Sequence, residues 1–194
     1  MLYGIDVSEH NGKINWSEIK RAGIDFAIIR CSYGLHEDSN FRDNVYHAFN
    51  VGLKVGAYHY SYALNENRAL QESQFVANLI SESGCFLHLP IFLDMEDADN
   101  YKANNGFNFS KENVTNVCKT FIENIRLKYD VGLYASYSWL KDFINWRALN
   151  CAVWSAQWSA SDEFKGFMWQ YTNRKEINGK LFDDNVLYEY GVDF

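Results

Sequence analysis

Apolar, β-branched and aromatic residues gather along the chain into eight short runs, at 2–8, 26–33, 54–62, 90–96, 131–137, 151–157, 167–172 and, more weakly, 181–187. Their length and their richness in Val, Ile, Phe, Tyr and Trp predict strands. Between the earlier runs the spacing becomes helical. Helices are predicted over "NWSEIKRAG" stopping at Gly23, "FRDNVYHAFNVG" stopping at Gly52, "NRALQESQFVANLISESG" stopping at Gly84, and "SKENVTNVCKTFIENIRLKY" opening at Ser110. In the last of these, Val114, Val117, Cys118, Phe121, Ile122 and Ile125 form one apolar stripe suited to a core.

Strands that alternate with helices across short connections predict a parallel sheet covered by helices, and eight of them predict closure. The expected fold class is α/β, an irregular TIM-like β/α barrel of about eight mostly parallel strands. Such barrels usually take about 250 residues. At 194 residues, some helices must be shortened or missing, and the crowded C-terminal third is where they are expected to be lost. Residues 1–194 are expected to form a single domain.

A formal net charge of −7 without clustered Lys or Arg argues against nucleic acid or an anionic membrane as partner. Aromatic residues make up 17%, with 13 Tyr and 6 Trp, and their apolar faces with polar handles suit sugar rings. "MLYGIDVSEH" has no basic or apolar region of a secretory signal, and no apolar run reaches the ~20 residues that span a bilayer, so synthesis in the cytoplasm is expected. Cys31, Cys85, Cys118 and Cys151 lie far apart and are expected to be reduced, buried thiols rather than metal ligands.

The chemistry concentrates where "LPIFLDMED" (89–97) drives an apolar run into three carboxylates. Strand alternation puts Phe92, Asp94 and Glu96 on one face and Ile91, Leu93 and Met95 on the other. With Cα atoms roughly 6.5–7 Å apart, the carboxyls of Asp94 and Glu96 raise each other's pKa, and one is expected to stay protonated near neutral pH. Polar and aromatic residues end other predicted strands: Asp6, Tyr60, Tyr62, Tyr134, Ser136, Trp154 and Gln170, with Asp183 on the weak eighth. Two carboxyls in an aromatic-lined cleft fit glycoside hydrolysis. The alternatives are an acidic patch balanced by Arg30 or water, and a hard-cation site built from Asp6, Asp94, Glu96 and Asp183. His59 alternates away from Tyr60 and is expected to face the helices. No Gly-x-Ser-x-Gly elbow or phosphate-cradling loop is present, which argues against a serine hydrolase or nucleotide chemistry. The polar stretch 97–110 predicts a functional loop.

"GIDVSEHNGKINW" (4–16), "GLKVGAYHYSYA" (52–63), "LPIFLDMED" (89–97), "GLYASYSWL" (132–140), "VWSAQW" (153–158), "MWQYT" (168–172) and "FDDN" (182–185) resemble, in this order, the motifs of glycoside hydrolase family 25. These are the lysozymes or N-acetylmuramidases of the Chalaropsis type, found among phage endolysins and bacterial autolysins. The resemblance implies cleavage of the β-1,4 bond between N-acetylmuramic acid and N-acetylglucosamine by a catalytic domain, any wall-binding module lying outside this chain. It implies Asp6, Asp94, Glu96 and Asp183 as catalytic residues, with Glu96 the proton donor and with Asp184 the alternative to Asp183. Tyr60, Tyr62, Tyr134, Tyr137, Trp154 and Gln170 correspond to substrate-binding positions. The implied partner is the glycan strand of bacterial peptidoglycan, met by a monomer without cofactor, metal or membrane insertion, which reaches the wall after release or export. A non-catalytic wall-binding module and a chitinase-like glycosidase are the competing readings. Whether Asp94 assists the substrate's acetamido group, attacks directly or activates water is left open by sequence.

Overall fold

The computed structural model describes residues 1–188. Its strands are β1 (Leu2–Val7), β2 (Phe26–Tyr33), β3 (His36–Glu37), β4 (Lys54–Tyr60), β5 (Ile91–Asp94), β6 (Val131–Ser136), β7 (Ala152–Ala156), β8 (Met168–Ile177) and β9 (Lys180–Leu187). Its α-helices are α1 (Trp16–Arg21), α2 (Phe41–Asn50), α3 (Glu66–Ser83), α4 (Tyr101–Asn104), α5 (Lys111–Arg126) and α6 (Tyr137–Asp142).

Parallel pairing runs from β1 through β2, β4, β5, β6 and β7 to β8. Strand β9 lies antiparallel between β8 and β1 and closes an eight-stranded ring, while β3 hangs outside it on β2. The expected irregular TIM-like barrel is therefore present, and its irregularity has a local cause. Asn178 and Gly179 both hold positive φ, 50° and 76°, the backbone of a tight hairpin turn that sends β9 back along β8. No helix can fit in two residues, so the last strand must be antiparallel. β8 consequently runs to Ile177, beyond the predicted 172.

Alternation along the strands sorts two apolar regions. Phe26 and Ile28 of β2, Phe92 of β5, Trp154 of β7 and Met168 of β8 fill the barrel interior. Ala27, Ile29, Ile91, Leu93 and Met95 point outward to the helical layer. Inward glycines make room for the rings: a Cβ on Gly132 would sit 2.5 Å from Phe92, and one on Gly4 2.3 Å from Phe26. Helix α5 buries its predicted stripe against the sheet and α3, with Ser110 Oγ accepting from Asn113 N at 3.3 Å as the cap.

Short elements escaped the pattern. Helices α4 and α6 and strand β3 are only two to six residues long, less than the periodicity needs to declare itself. The predicted strand at 131–137 ends at Ser136, whose Oγ accepts from Trp139 N at 3.3 Å and opens α6. Tyr137 is thus a helix residue. Cys31 and Cys118 are buried free thiols as expected, but Cys85 and Cys151 are only half-buried.

Candidate active site

Because β1 and β4 to β8 run parallel, their C-terminal ends share one rim, and the antiparallel β9 brings the residues near its start to the same rim. That is why Asp183, three residues into β9, lies directly across from Asp6 near the end of β1. Asp183 and Asn185 share a face. Asp184 turns the other way, accepting from the Tyr171 hydroxyl and pairing with Lys175 Nζ at 3.0 Å. Asp183 rather than Asp184 is the neighbour of Asp6.

Asp6 is 7% exposed. Its Oδ2 accepts from Gln170 Nε2 at 2.9 Å and from Asn185 Nδ2 at 2.8 Å. Burial, and then the nearby Asp183, push the Asp6 carboxyl up to about 7 despite those donors. Burial also raises Asp183.

Asp94 is the last residue of β5, and Glu96 lies beyond the strand end. The predicted alternation survives: Met95 is sealed against the helices, while Asp94 and Glu96 both line one groove of about 530 Å³. Burial is the main cause raising both carboxyls, and repulsion by Glu96 adds to it at Asp94. The two carboxyls therefore titrate as one interacting pair rather than independently. Asp94 Oδ1 is buried without a hydrogen-bond partner. Asp6 and Asp183 act electrostatically on this pair, which makes the four carboxyls one cluster.

Arg30 does not neutralise that cluster. Its Nε bonds Asp38 Oδ2 at 2.8 Å and its Nη2 bonds Glu9 Oε1 at 3.1 Å. The cation that lowers both Asp94 and Glu96 is Lys102, on α4 within the loop that follows β5. The third carboxylate of "LDMED" serves the backbone instead. Asp97 Oδ1 accepts from Lys102 N at 2.7 Å and Oδ2 from Ala103 N at 3.0 Å, which caps α4.

Tyr60 and Tyr62 line the groove with rings 5.2 Å apart. The Tyr60 oxygen accepts from Ala98 N at 3.3 Å, and the Tyr62 hydroxyl donates to Asp99 Oδ2 at 2.7 Å. Glu72 on α3 holds this wall from behind, accepting from Ser61 Oγ at 2.7 Å and Tyr62 N at 3.2 Å. His59 faces the helices, as predicted, stacking on Phe121 at 5.2 Å and contacting Glu72 Oε2 at 3.1 Å.

The other four predicted binding positions do not line this groove. Trp154 is 1% exposed, too deep to offer a face to any ligand, and its Nε1 donates to Asn185 Oδ1 at 2.8 Å. Gln170 is 4% exposed and spent on Asp6. Tyr134 packs on Trp154 at 4.4 Å and donates to Gln170 Oε1 at 3.0 Å. These three residues orient the acidic cluster from below. Tyr137, carried off by α6, is not among the residues lining the groove. Sequence reasoning missed Asn185, although its two-residue spacing from Asp183 was visible. It also missed Trp158, an indole 63% exposed whose Nε1 donates to Gln170 Oε1 at 3.3 Å. Among the described residues, no group of three or more His, Cys, Asp and Glu side chains is arranged to hold a metal ion, and no helix is long and apolar enough to cross a membrane.

Known proteins resemble this chain in sequence and fold. A family model described as glycosyl hydrolases family 25 matches residues 5–180. Lysozyme M1 of Streptomyces globisporus is 31% identical over 194 residues, covering 92% of this chain and 64% of the relative. An autolytic lysozyme of Clostridium acetobutylicum is 28% identical over 185 residues, covering 92% of this chain and 52% of the relative. The chain thus spans between about half and two thirds of the length of these curated relatives. The structure of a family 25 glycosyl hydrolase from Bacillus anthracis superposes with a TM-score of 0.80 at 27% identity, covering 98% of this chain and 90% of that one. The chain belongs to glycosyl hydrolase family 25.

Proposed function

We propose that residues 1–194 act as a catalytic domain that hydrolyses the β-1,4 bond between N-acetylmuramic acid and N-acetylglucosamine in peptidoglycan. The observation that carries this reading is the Asp94–Glu96 pair, a buried and a half-buried carboxyl lining one open groove beside Tyr60 and Tyr62. A sugar chain in that groove meets aromatic faces, and its glycosidic oxygen meets a carboxylic acid.

Glu96 is the proton donor, because it is the less buried of the pair and can reach a bound oxygen. An acetamido N–H donating to the groove-facing side of the Asp94 carboxyl favours its ionised form and leaves the pair's proton on Glu96. Glu96 then protonates the leaving oxygen as the C–O bond breaks, and the Asp94 carboxylate stabilises the oxocarbenium-like centre or orients the acetamido oxygen that attacks it. Asp183, and Asp6 once it ionises as pH rises through about 7, add negative potential near the developing positive charge. Relatives named as lysozymes support the wall as substrate and the wall as the place of action.

Glu96→Gln tests the assignment. Clearing of purified cell walls should fall by about 10²–10⁴-fold with the circular dichroism spectrum unchanged. Equal clearing by both proteins would remove Glu96 as acid. Reducing ends of muramic acid are expected in the products; glucosamine ends would favour the chitinase-like reading, and no cleavage with retained wall binding would favour a non-catalytic module.

A further inference from the structure

Lysine is almost never fully buried unless something holds its charge, yet Lys102 is 1% exposed. Its Nζ donates to two backbone carbonyls, that of Ser61 and, at 2.6 Å, that of Glu96. The ammonium also lies 5.5 Å from the centre of the Tyr60 ring, within cation–π range.

The two carbonyls mark a weak point of the barrel. Ser61 is the first residue past β4 and Glu96 the second past β5, so the sheet ladder has run out where the acids emerge. One backbone bond, Ser61 N to Asp94 O at 3.1 Å, carries the pairing a step further. Lys102 closes the gap beyond it. The side chain arrives there because Asp97 caps α4 at Lys102 N and Ala103 N, and Phe107 N returns to Lys102 O at 3.0 Å.

We propose that Lys102 is a positioning residue of the glycosidase centre, stapling the strand ends at Ser61 and Glu96 so that the Glu96 carboxyl stands in the groove, and setting a buried positive charge behind the Asp94–Glu96 pair. This rests on the glycosidase reading of the same site. The charged and titratable groups facing the ammonium are Asp94 and Glu96 of the pair, Asp97 and Asp99 of its own loop, Tyr60 of β4, Glu72 of α3 and Cys118 of α5. Burial pulls the ammonium below its ordinary 10.5, and the carboxylates work against that pull. In return, the cation holds the pair's carboxyls lower than burial alone would leave them. Lys102 is too deep to touch substrate, so its effect must pass through the pair.

Lys102→Met and Lys102→Gln test this. Both remove the charge, and Gln keeps a donor for the carbonyls. In Lys102→Met, kcat on cell walls should fall about 10–100-fold, the penalty of a misplaced acid, with KM within about twofold. Gln should recover part of that loss. In both, the acidic limb of kcat against pH should move upward by about one pH unit, because losing a nearby cation raises carboxyl pKa values. Carbon-13 NMR titration of Asp94 and Glu96 should show the same upward move without requiring turnover. If the unsubstituted protein proves inactive on walls, the functional reading fails, and the titration still decides the role of Lys102. Either variant folded, with wild-type kcat and an unmoved titration, would overturn the proposal. Loss of native circular dichroism in both would overturn it too, assigning Lys102 to the fold alone.

Discussion

Asp6 is the place where the site's electrostatic strain can be measured as stability. A carboxyl held at about 7 in the folded chain against an ordinary 3.8 is penalised as an ion on folding. At ~1.4 kcal/mol per pH decade, that difference of about three decades is worth about 4 kcal/mol. The sign is the reverse of the usual carboxylate. Between pH 3.8 and about 7 the folded state binds the proton that the unfolded state has released, so this contribution is full below pH 3.8 and lost as pH rises through 7. Asp6→Asn removes the ionisation while keeping an oxygen to accept from Gln170 or Asn185. Urea unfolding of both proteins should therefore give similar free energies near pH 4 and an advantage to Asp6→Asn that grows to about 2–4 kcal/mol at pH 8, the lower figure allowing for a proton shared with Asp183. Wall-clearing activity should fall in the same variant. A variant no more stable than the parent at pH 8, or one whose advantage shrinks as pH rises, would refute the claim that this acid is held against its own preference.

Two further substitutions test neighbouring parts of the reasoning. Gly132→Ala places a methyl group 2.5 Å from the Phe92 ring and 2.8 Å from the Ala152 carbonyl, so overpacking should cost about 1–3 kcal/mol; an unchanged denaturation midpoint would show that the interior is looser than described. Trp158→Ala removes the exposed indole beside Gln170, and if that ring supports the sugar chain, KM should rise about 2–10-fold with kcat nearly constant. A fall in kcat at constant KM would instead place Trp158 among the groups that orient the acids.

The barrel was legible because most of its parallel strands are buried on both sides and its long helices carry apolar stripes. The strand runs persist over four to ten residues and the long helices over ten or more, enough for a period of two or 3.6 to stand out. The direction of β9 was not legible from hydrophobicity, since a strand reads alike in both senses. Asn178-Gly179 held that information in turn chemistry instead. Depth was the other hidden quantity. Trp154 and Gln170 sit at strand positions that alternation assigns correctly to the interior, but alternation does not say how far below the rim a side chain lies. The indole of Trp154 fills the barrel and the exposed one belongs to Trp158, two residues beyond β7, where the strand pattern has ended.

The carboxylates of "LDMED" show why a run of like charge can be read for location but not for roles. Asp94 still belongs to the ladder, so its backbone is fixed and its side chain is pressed inward, where ionisation is costly. Glu96 has left the ladder and keeps access to the groove. Asp97 is one residue further on and accepts from the orphan N–H groups of a four-residue helix. That helix returns a single buried cation to the back of the pair, with its ammonium on the Glu96 carbonyl. The strand end, the groove and the cap thus give three neighbouring acids three different sets of partners. Glu96→Asp separates reach from acidity: it keeps the carboxyl and the staple but withdraws the proton by about one C–C bond, ~1.5 Å. If Glu96 acts by direct protonation, kcat should fall about as far as in Glu96→Gln, and a Glu96→Asp protein with near-native turnover would mean that the proton reaches the glycosidic oxygen from elsewhere.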